Sequence, residues 1–318
     1  MGEIVKRWRR FRNGTLPRLR NRMRQRMAPI VGALLGGYVR GSLWWLRLWP
    51  LEVSSAGMAF WARLFGPLWP LTKVARANLK AAFPEKSPQE IEKLVREVWA
   101  NLGRLCAEFA HLDHIWDYDP KNPGKGRIEI GKTDFSHQLR DGKTALFFSA
   151  HTGNWEMCAI CGAELDILDA VIYREPNNKK AAELIEEMRK GTMPDLIRTD
   201  RDAARDLIRR LGQGQHIGML VDQYWTGGPK VKFFGRPTAT NPTLAKLARH
   251  FDCPVYGWRV VRLPKGRFRV EFTEEVVMPR DAEGKIDVEG AMQAINDVIE
   301  GWVREHPAQW LWLHRRWR

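Results

Sequence analysis

The segment Ser149-Ala150-His151-Thr152-Gly153-Asn154-Trp155-Glu156 carries the residue types needed for proton transfer at a hydroxyl. An imidazole can accept such a proton near neutral pH, and a carboxylate close by stabilises the imidazolium that results. This is base-plus-orienter chemistry without a protein nucleophile: the activated hydroxyl belongs to a substrate and attacks directly. Glu156 falls in the first turn of a predicted helix, from which it is expected to reach back to His151. The N-terminus of that helix is expected to disfavour imidazolium and keep His151 neutral. The bare pattern His-x4-acid is weak, and it occurs again at His114 and Asp119. That second copy ends an amphipathic helix just before Pro120, with no strand before it and no tight turn, and reads as surface polar residues.

Context separates the two copies, and the context is a strand–turn–helix unit. TALFFSA (144–150) reads as a strand and NWEMCAICGAEL (154–165) as a helix, with Gly153 permitting a tight turn between them. Further on, strands are expected at 168–175 and 216–222 and helices at 178–190 and 201–214. Asn241-Pro242 introduces the helix TLAKLARHF. PVYGWRVVR and RFRVEFTEE read as paired strands, and a last helix covers about 287–305. Upstream, 71–118 reads as helical, broken at Pro84 and restarted with Ser87 as N-cap, Pro88 at N1 and Glu90 at N3. Strands alternating with helices specify an α/β fold, a mostly parallel mixed sheet flanked by helices. Ligands in such sheets bind beyond the carboxyl ends of the strands.

Other candidates leave strand ends on that same side. Arg174 follows a strand and can hold a phosphate bidentately, or it forms a salt bridge to Glu175 or Glu183. Asn177 and Asn178 either hydrogen-bond a sugar or cap the following helix. Asp222 and Gln223 end the strand HIGMLVD, Asp222 orienting a cleft arginine or a bound substrate, or forming a turn. Arg198 and Arg201 flank Thr199-Asp200, where they meet a phosphate or remain solvated. Phe233 and Phe234 line an apolar tunnel for a ligand or belong to the core.

The formal charge of +15 is concentrated at the start: residues 1–30 hold ten Lys/Arg against Glu3 alone. Such an arm suits an anionic surface, and fifteen Trp against five Tyr favour a lipid interface over nucleic acid. The apolar region that follows is interrupted by Arg40, Arg47, Pro50 and Glu52. Its uninterrupted run, 28–39, is too short to span the ~30 Å of bilayer hydrocarbon. Helices lying in one leaflet are expected, with a single span as the alternative. Three regions result: a basic arm (1–27), an apolar membrane-associating helical region (28–70) and a catalytic domain (71–318). No cleavable secretory signal is evident. Cys158 and Cys161 lie in an apolar helix and read as core residues. No cysteine or histidine spacing suits a metal, and no GxxxxGK[ST] loop occurs.

HTGNWE resembles the signature of the late acyltransferases of lipid A biosynthesis, the lauroyl/myristoyl transferase family, within the wider glycerolipid acyltransferase group. YREPNN (173–178), VDQYW with FFGRPTATNPTLAKLA (221–248) and HPAQWLWLHRRWR (306–318) agree with it, in the family's order. The resemblance runs from about Trp44 to the C-terminus. It implies a glycerol-3-phosphate acyltransferase-like fold, with His151 and Glu156 as the catalytic pair. The reaction implied is acyl transfer from an acyl carrier protein, or from acyl-CoA, to a hydroxyl of a glycolipid acceptor, the lipid A precursor. It places the enzyme at the cytoplasmic face of the bacterial inner membrane, with no cofactor. Tyr224 and Ala308 stand where the family often has acidic residues. A lysophospholipid, glycosylated phosphatidylinositol or aminolipid acceptor is the alternative within the class. A non-enzymatic basic membrane- or nucleic-acid-binding protein is the alternative outside it.

Overall fold

The elements of the computed structural model follow the expected alternation, with additions. A helical stretch at 36–47 (α1) leads into α2 (Leu51–Phe65), α3 (Thr72–Ala82) and α4 (Pro88–Phe109). Then come β1 (Ile128–Ile130), β2 (Leu146–Ser149), α5 (Glu156–Glu164), β3 (Ala170–Tyr173) and α6 (Lys179–Arg189). β4 (Asp195–Arg198), α7 (Ala203–Gly212), β5 (Ile217–Leu220) and the hairpin β6 (Lys230–Phe233) and β7 (Arg236–Ala239) follow. α8 (Thr243–Phe251), β8 (Val255–Arg262), β9 (Phe268–Glu275) and α9 (Val288–Glu305) complete the order. The structure describes residues 32–33, 36–122, 124–131, 143–176 and 178–318. The basic arm and Asn177 lie outside the described residues.

The seven-stranded sheet has the order β1-β9-β8-β2-β5-β3-β4, parallel throughout except for the β8–β9 pair. The central strands β2, β5 and β8 are almost wholly buried, as continuous apolar runs in a parallel sheet covered on both faces should be. On one face Leu79, Val95, Leu244 and Ile295 from α3, α4, α8 and α9 pack against the strands; on the other, α5 contributes Met157, Cys158, Ile160 and Cys161. Both cysteines of the C-x-x-C are therefore free, buried core residues, as expected. β1, β4 and the β6–β7 hairpin are short and have weak apolar patterning, so periodicity does not reveal them.

Local chemistry sets the helix starts. Ser87 and Glu90 form the expected reciprocal capping box, with Pro88 in the first turn of α4. Asp287 caps α9 and Asn178 caps α6. α2 lies directly on α4: a Cβ at Gly103 would stand 2.4 Å from the Met58 carbonyl oxygen, so only glycine permits this approach. Among the described residues no helix is long and apolar enough to cross a membrane. The α1–α2 region nevertheless exposes Tyr38, Trp44, Trp45, Trp49, Phe60, Trp61, Leu68 and Trp69 in one stretch of chain.

The C-terminal segment enters the core. Trp310 and Trp312 are fully buried, as is Arg316, which donates to the Asn296 side chain at 2.5 Å. A bridge between Thr152 and Trp310 ties the tail to the turn after β2, reinforced by Leu311 N–H donating to the His151 carbonyl at 2.9 Å.

Candidate active site

Strand register brings the central pair together. Ser149 pairs with Leu220 across β2 and β5, so His151 and Asp222, each two residues beyond, emerge side by side at the carboxyl edge. The His151 Nδ1–H donates to Asp222 Oδ1 at 2.7 Å, since an ionised carboxylate can only accept. Asp222 Oδ2 accepts from the His151 backbone N–H at 2.9 Å and from Trp310 Nε1–H at 2.7 Å. Asp222 is completely buried and both of its oxygens accept hydrogen bonds, which fixes the imidazole's tautomer and plane. His151 Nε2 is left facing outward. The Gln223 amide lies 3.3 Å from it and the Trp155 ring stands edge-on against the imidazole.

Burial alone would push the His151 pKa down, but the Asp222 charge and hydrogen bond, assisted by the Glu156 charge, move it above the ordinary value of 6.5. Asp222 is held far below the usual carboxylate range: burial opposes ionisation, and the His151 charge and hydrogen bond overcome it. The shift is therefore opposite in direction to the one expected from the helix N-terminus. A buried carboxylate in contact outweighs a partial helix dipole farther off.

Glu156 is corrected as a contact. It occupies the first turn of α5, with its backbone N–H donating to Asn154 Oδ1, but its carboxylate turns to Arg189 on α6. Arg189 grips it bidentately, Nε at 3.0 Å and an NH2 nitrogen at 2.7 Å, both side chains being largely buried. An acid five residues on thus lies near the imidazole without hydrogen-bonding to it. The guanidinium also lies 5.6 Å from the centroid of the Tyr173 ring.

Below the turn lies a second buried network. Asn154 Nδ2 donates to Glu108 of α4, which is gripped bidentately by Arg262 at the end of β8. Arg262 also donates to Asn101, and its backbone exchanges hydrogen bonds with the Gln309 side chain. Gly153 adopts φ +58°, and a Cβ there would stand 2.2 Å from the Val260 carbonyl oxygen. The turn is thus clamped from α4, β8 and the C-terminal segment together.

The chain matches the family of bacterial lipid A biosynthesis acyltransferases over residues 30–318. It belongs to that family. It is therefore an enzyme, an acyltransferase. Two curated relatives are the lipid A biosynthesis palmitoleoyltransferase of Escherichia coli (strain K12) and the lipid A biosynthesis acyltransferase of Shigella flexneri. Each is 24% identical over 254 residues, covering 77% of this chain and 78% of the relative.

The remaining candidates divide within this acyltransferase. Asp222 and Gln223 both meet His151, and Asp222 orients the histidine rather than an arginine. Arg174 is exposed after β3 and makes neither of the salt bridges weighed for it; instead Arg198 takes up Glu175 at 3.7 Å and Glu186 at 2.6 Å. Arg198 also donates to the Tyr173 hydroxyl, so its charge is engaged within the protein. Asn178 caps α6 with its side-chain oxygen, which settles that oxygen's role as structural. Phe233 and Phe234 pack against Trp310, Trp312 and Trp317 in the core. Arg189, Glu108, Arg262 and Trp310 have no role legible from spacing. Trp310 alone stands in a segment that already attracts notice, the aromatic C-terminal run.

Proposed function

We propose that this chain transfers a fatty acyl group from the thioester of an acyl carrier protein to a hydroxyl of a lipid A precursor, at the cytoplasmic face of the bacterial inner membrane. The observation that carries this reading is the outward-facing Nε2 of an imidazole whose Nδ1 is locked on the buried Asp222. The acceptor hydroxyl displaces the Gln223 amide at Nε2 and gives its proton to it. The oxygen attacks the thioester carbonyl, a tetrahedral adduct forms, and the C–S bond breaks. The departing thiolate takes the proton from the imidazolium. Asp222 stabilises that imidazolium, and the Glu156 carboxylate adds to the field. Arg189 holds the Glu156 side chain in place, and exposed Arg174, which follows β3 two strands from β2, meets an acceptor phosphate.

The exposed aromatic surface of α1 and α2 supports operation at a lipid interface, with Tyr38 73% and Trp44 63% exposed. The excess of positive charge favours encounter with an acidic carrier protein. The test is transfer of labelled acyl chains from acyl carrier protein, or from acyl-CoA, to a tetra-acylated lipid A precursor by detergent-solubilised enzyme. Product on the precursor, lost in folded His151→Ala, is expected. Product on a lysophospholipid but none on the precursor would keep the chemistry and overturn the acceptor. Full activity in His151→Ala would overturn the mechanism.

A further inference from the structure

On the same carboxyl edge of the sheet as His151, past the end of the parallel strand β8, a cleft of about 280 Å³ opens between α2, α4 and the β8–β9 turn, lined among others by Ser55, Arg104, Arg262, Lys265 and Gly266. Its charge is unbalanced. Arg262 is neutralised by Glu108, and Glu97, the other carboxylate whose charge reaches Arg104, is paired with Arg63 at 2.6 Å. Arg104 has no ion-pair or hydrogen-bond partner among the described residues, and neither has Lys265. Partial burial and the neighbouring Arg262 charge depress the Arg104 pKa, but a guanidinium stays charged. Two like-charged guanidiniums therefore share a half-enclosed space, and the described carboxylates nearby are each paired elsewhere: Glu108 with Arg262, Glu97 with Arg63, and Glu52, beside Gly266, with Arg127 at 2.9 Å.

The turn that closes the cleft is unusually shaped. Lys265 takes a left-handed backbone conformation (φ 63°, ψ 34°), costly for a residue with a Cβ, and Gly266 follows with φ +68°. The exposed lysine thereby lines the cleft together with Arg104. On the other wall, α2 turns Ser55 into the cleft while presenting Phe60, Trp61 and Phe65 to the outside. A ligand entering here has a guanidinium and an ammonium for its anionic end and an aromatic surface beside it for an apolar end.

We propose that this cleft is a phosphate-recognition site, in which Arg104 and Lys265 hold the phosphate of a lipid headgroup whose chains lie along the α1–α2 surface. Recognition of the phosphate rests on the uncompensated cations alone; assigning it to a lipid rests on the interfacial reading of α1 and α2. The guanidinium supplies the planar pair of donors and the ammonium a mobile third. The site is linked to the catalytic turn through Arg262, Glu108 and Asn154, without sharing a residue with the His151–Asp222 pair.

The test is titration calorimetry on the full chain in neutral detergent with three probes: inorganic phosphate, dihexanoyl phosphatidylglycerol and dihexanoyl phosphatidylcholine. The phosphatidylglycerol is expected to bind at least about tenfold more tightly than the other two. Arg104→Gln is expected to weaken it about tenfold and Lys265→Gln a few-fold, with Lys285→Gln, a distant exposed control, unchanged. Lys265 sits on an exposed turn, so its variant keeps the test decisive if Arg104→Gln does not fold. Affinities unchanged in both variants overturn the site. Equal Arg104-dependent binding of phosphate and phosphatidylglycerol overturns the lipid source and leaves a site for free phosphate. Since no step reads acyl transfer, failure here is distinct from failure of the catalytic reading.

Discussion

His151 and His114 each precede an acid by five positions, yet the fold uses them differently. His114 leaves the end of α4, half exposed, and shares hydrogen bonds with Asp113 and His111, while Asp119 accepts from the Lys121 backbone and Asn122. His151 leaves a central strand, its side chain only 16% exposed, and meets a completely buried carboxylate delivered by the adjacent strand. In neither case does the histidine hydrogen-bond to the acid that the spacing suggests. What distinguishes the two is the partner brought by register from far along the chain. A low-dielectric setting strengthens that contact, and the tail's Trp310 completes it.

That contrast can be broken most severely at the imidazole itself. His151→Ala is expected to lower kcat by about 10³-fold while the protein stays folded, measured by steady-state acyl transfer. Asp222→Asn should follow, with a loss of about 10²-fold and a displaced pH profile. The base must be neutral to act, and the wild-type histidine titrates above 6.5, so the acid limb of kcat/KM should lie above that pH. Removing the carboxylate leaves burial as the dominant influence, so in the variant the limb should move to lower pH. A limb that stays in place would mean Asp222 does not set the charge of His151.

Arg189→Gln tests the neighbouring pair. It strands a largely buried Glu156 carboxylate and is expected to cost about 3 kcal/mol in denaturant unfolding. Replacing both residues with apolar ones should cost less stability than Arg189→Gln alone, although transfer should remain impaired if Glu156 contributes to the field. Gly153→Ala forces a Cβ onto the Val260 carbonyl and is expected to cost about 2 kcal/mol by the same measurement. The smallest effect is expected at the other copy of the pattern: His114→Ala should leave kcat within about twofold. A large loss there would erase the distinction between the two regions.

Much of the scaffold was legible in the residues because it depends on local rules. The all-apolar TALFFSA run, the Ser87–Glu90 capping box and the amphipathic helices report burial and capping within a few residues of themselves. β4 and the β6–β7 hairpin were not legible, since short strands with exposed positions owe their pairing to neighbours. The site divides along the same line. His151, Asp222 and Gln223 were visible as polar residues at strand ends. Their mutual contact, and the diversion of Glu156 to Arg189, were not, because α6 reaches Glu156 across 33 residues of sequence separation.

By itself the sequence determined the α/β alternation, the strand–turn–helix unit that presents His151, the family, and the concentration of positive charge at the start of the chain. Those follow from local patterning and short motifs. Tertiary structure alone decided which carboxylate touches the histidine, which arginine is neutralised, and that the tryptophan-rich tail is core. A hydrogen bond depends on placement to a few tenths of an ångström, and only the packed sheet, through its register and the elements that cover it, supplies that placement.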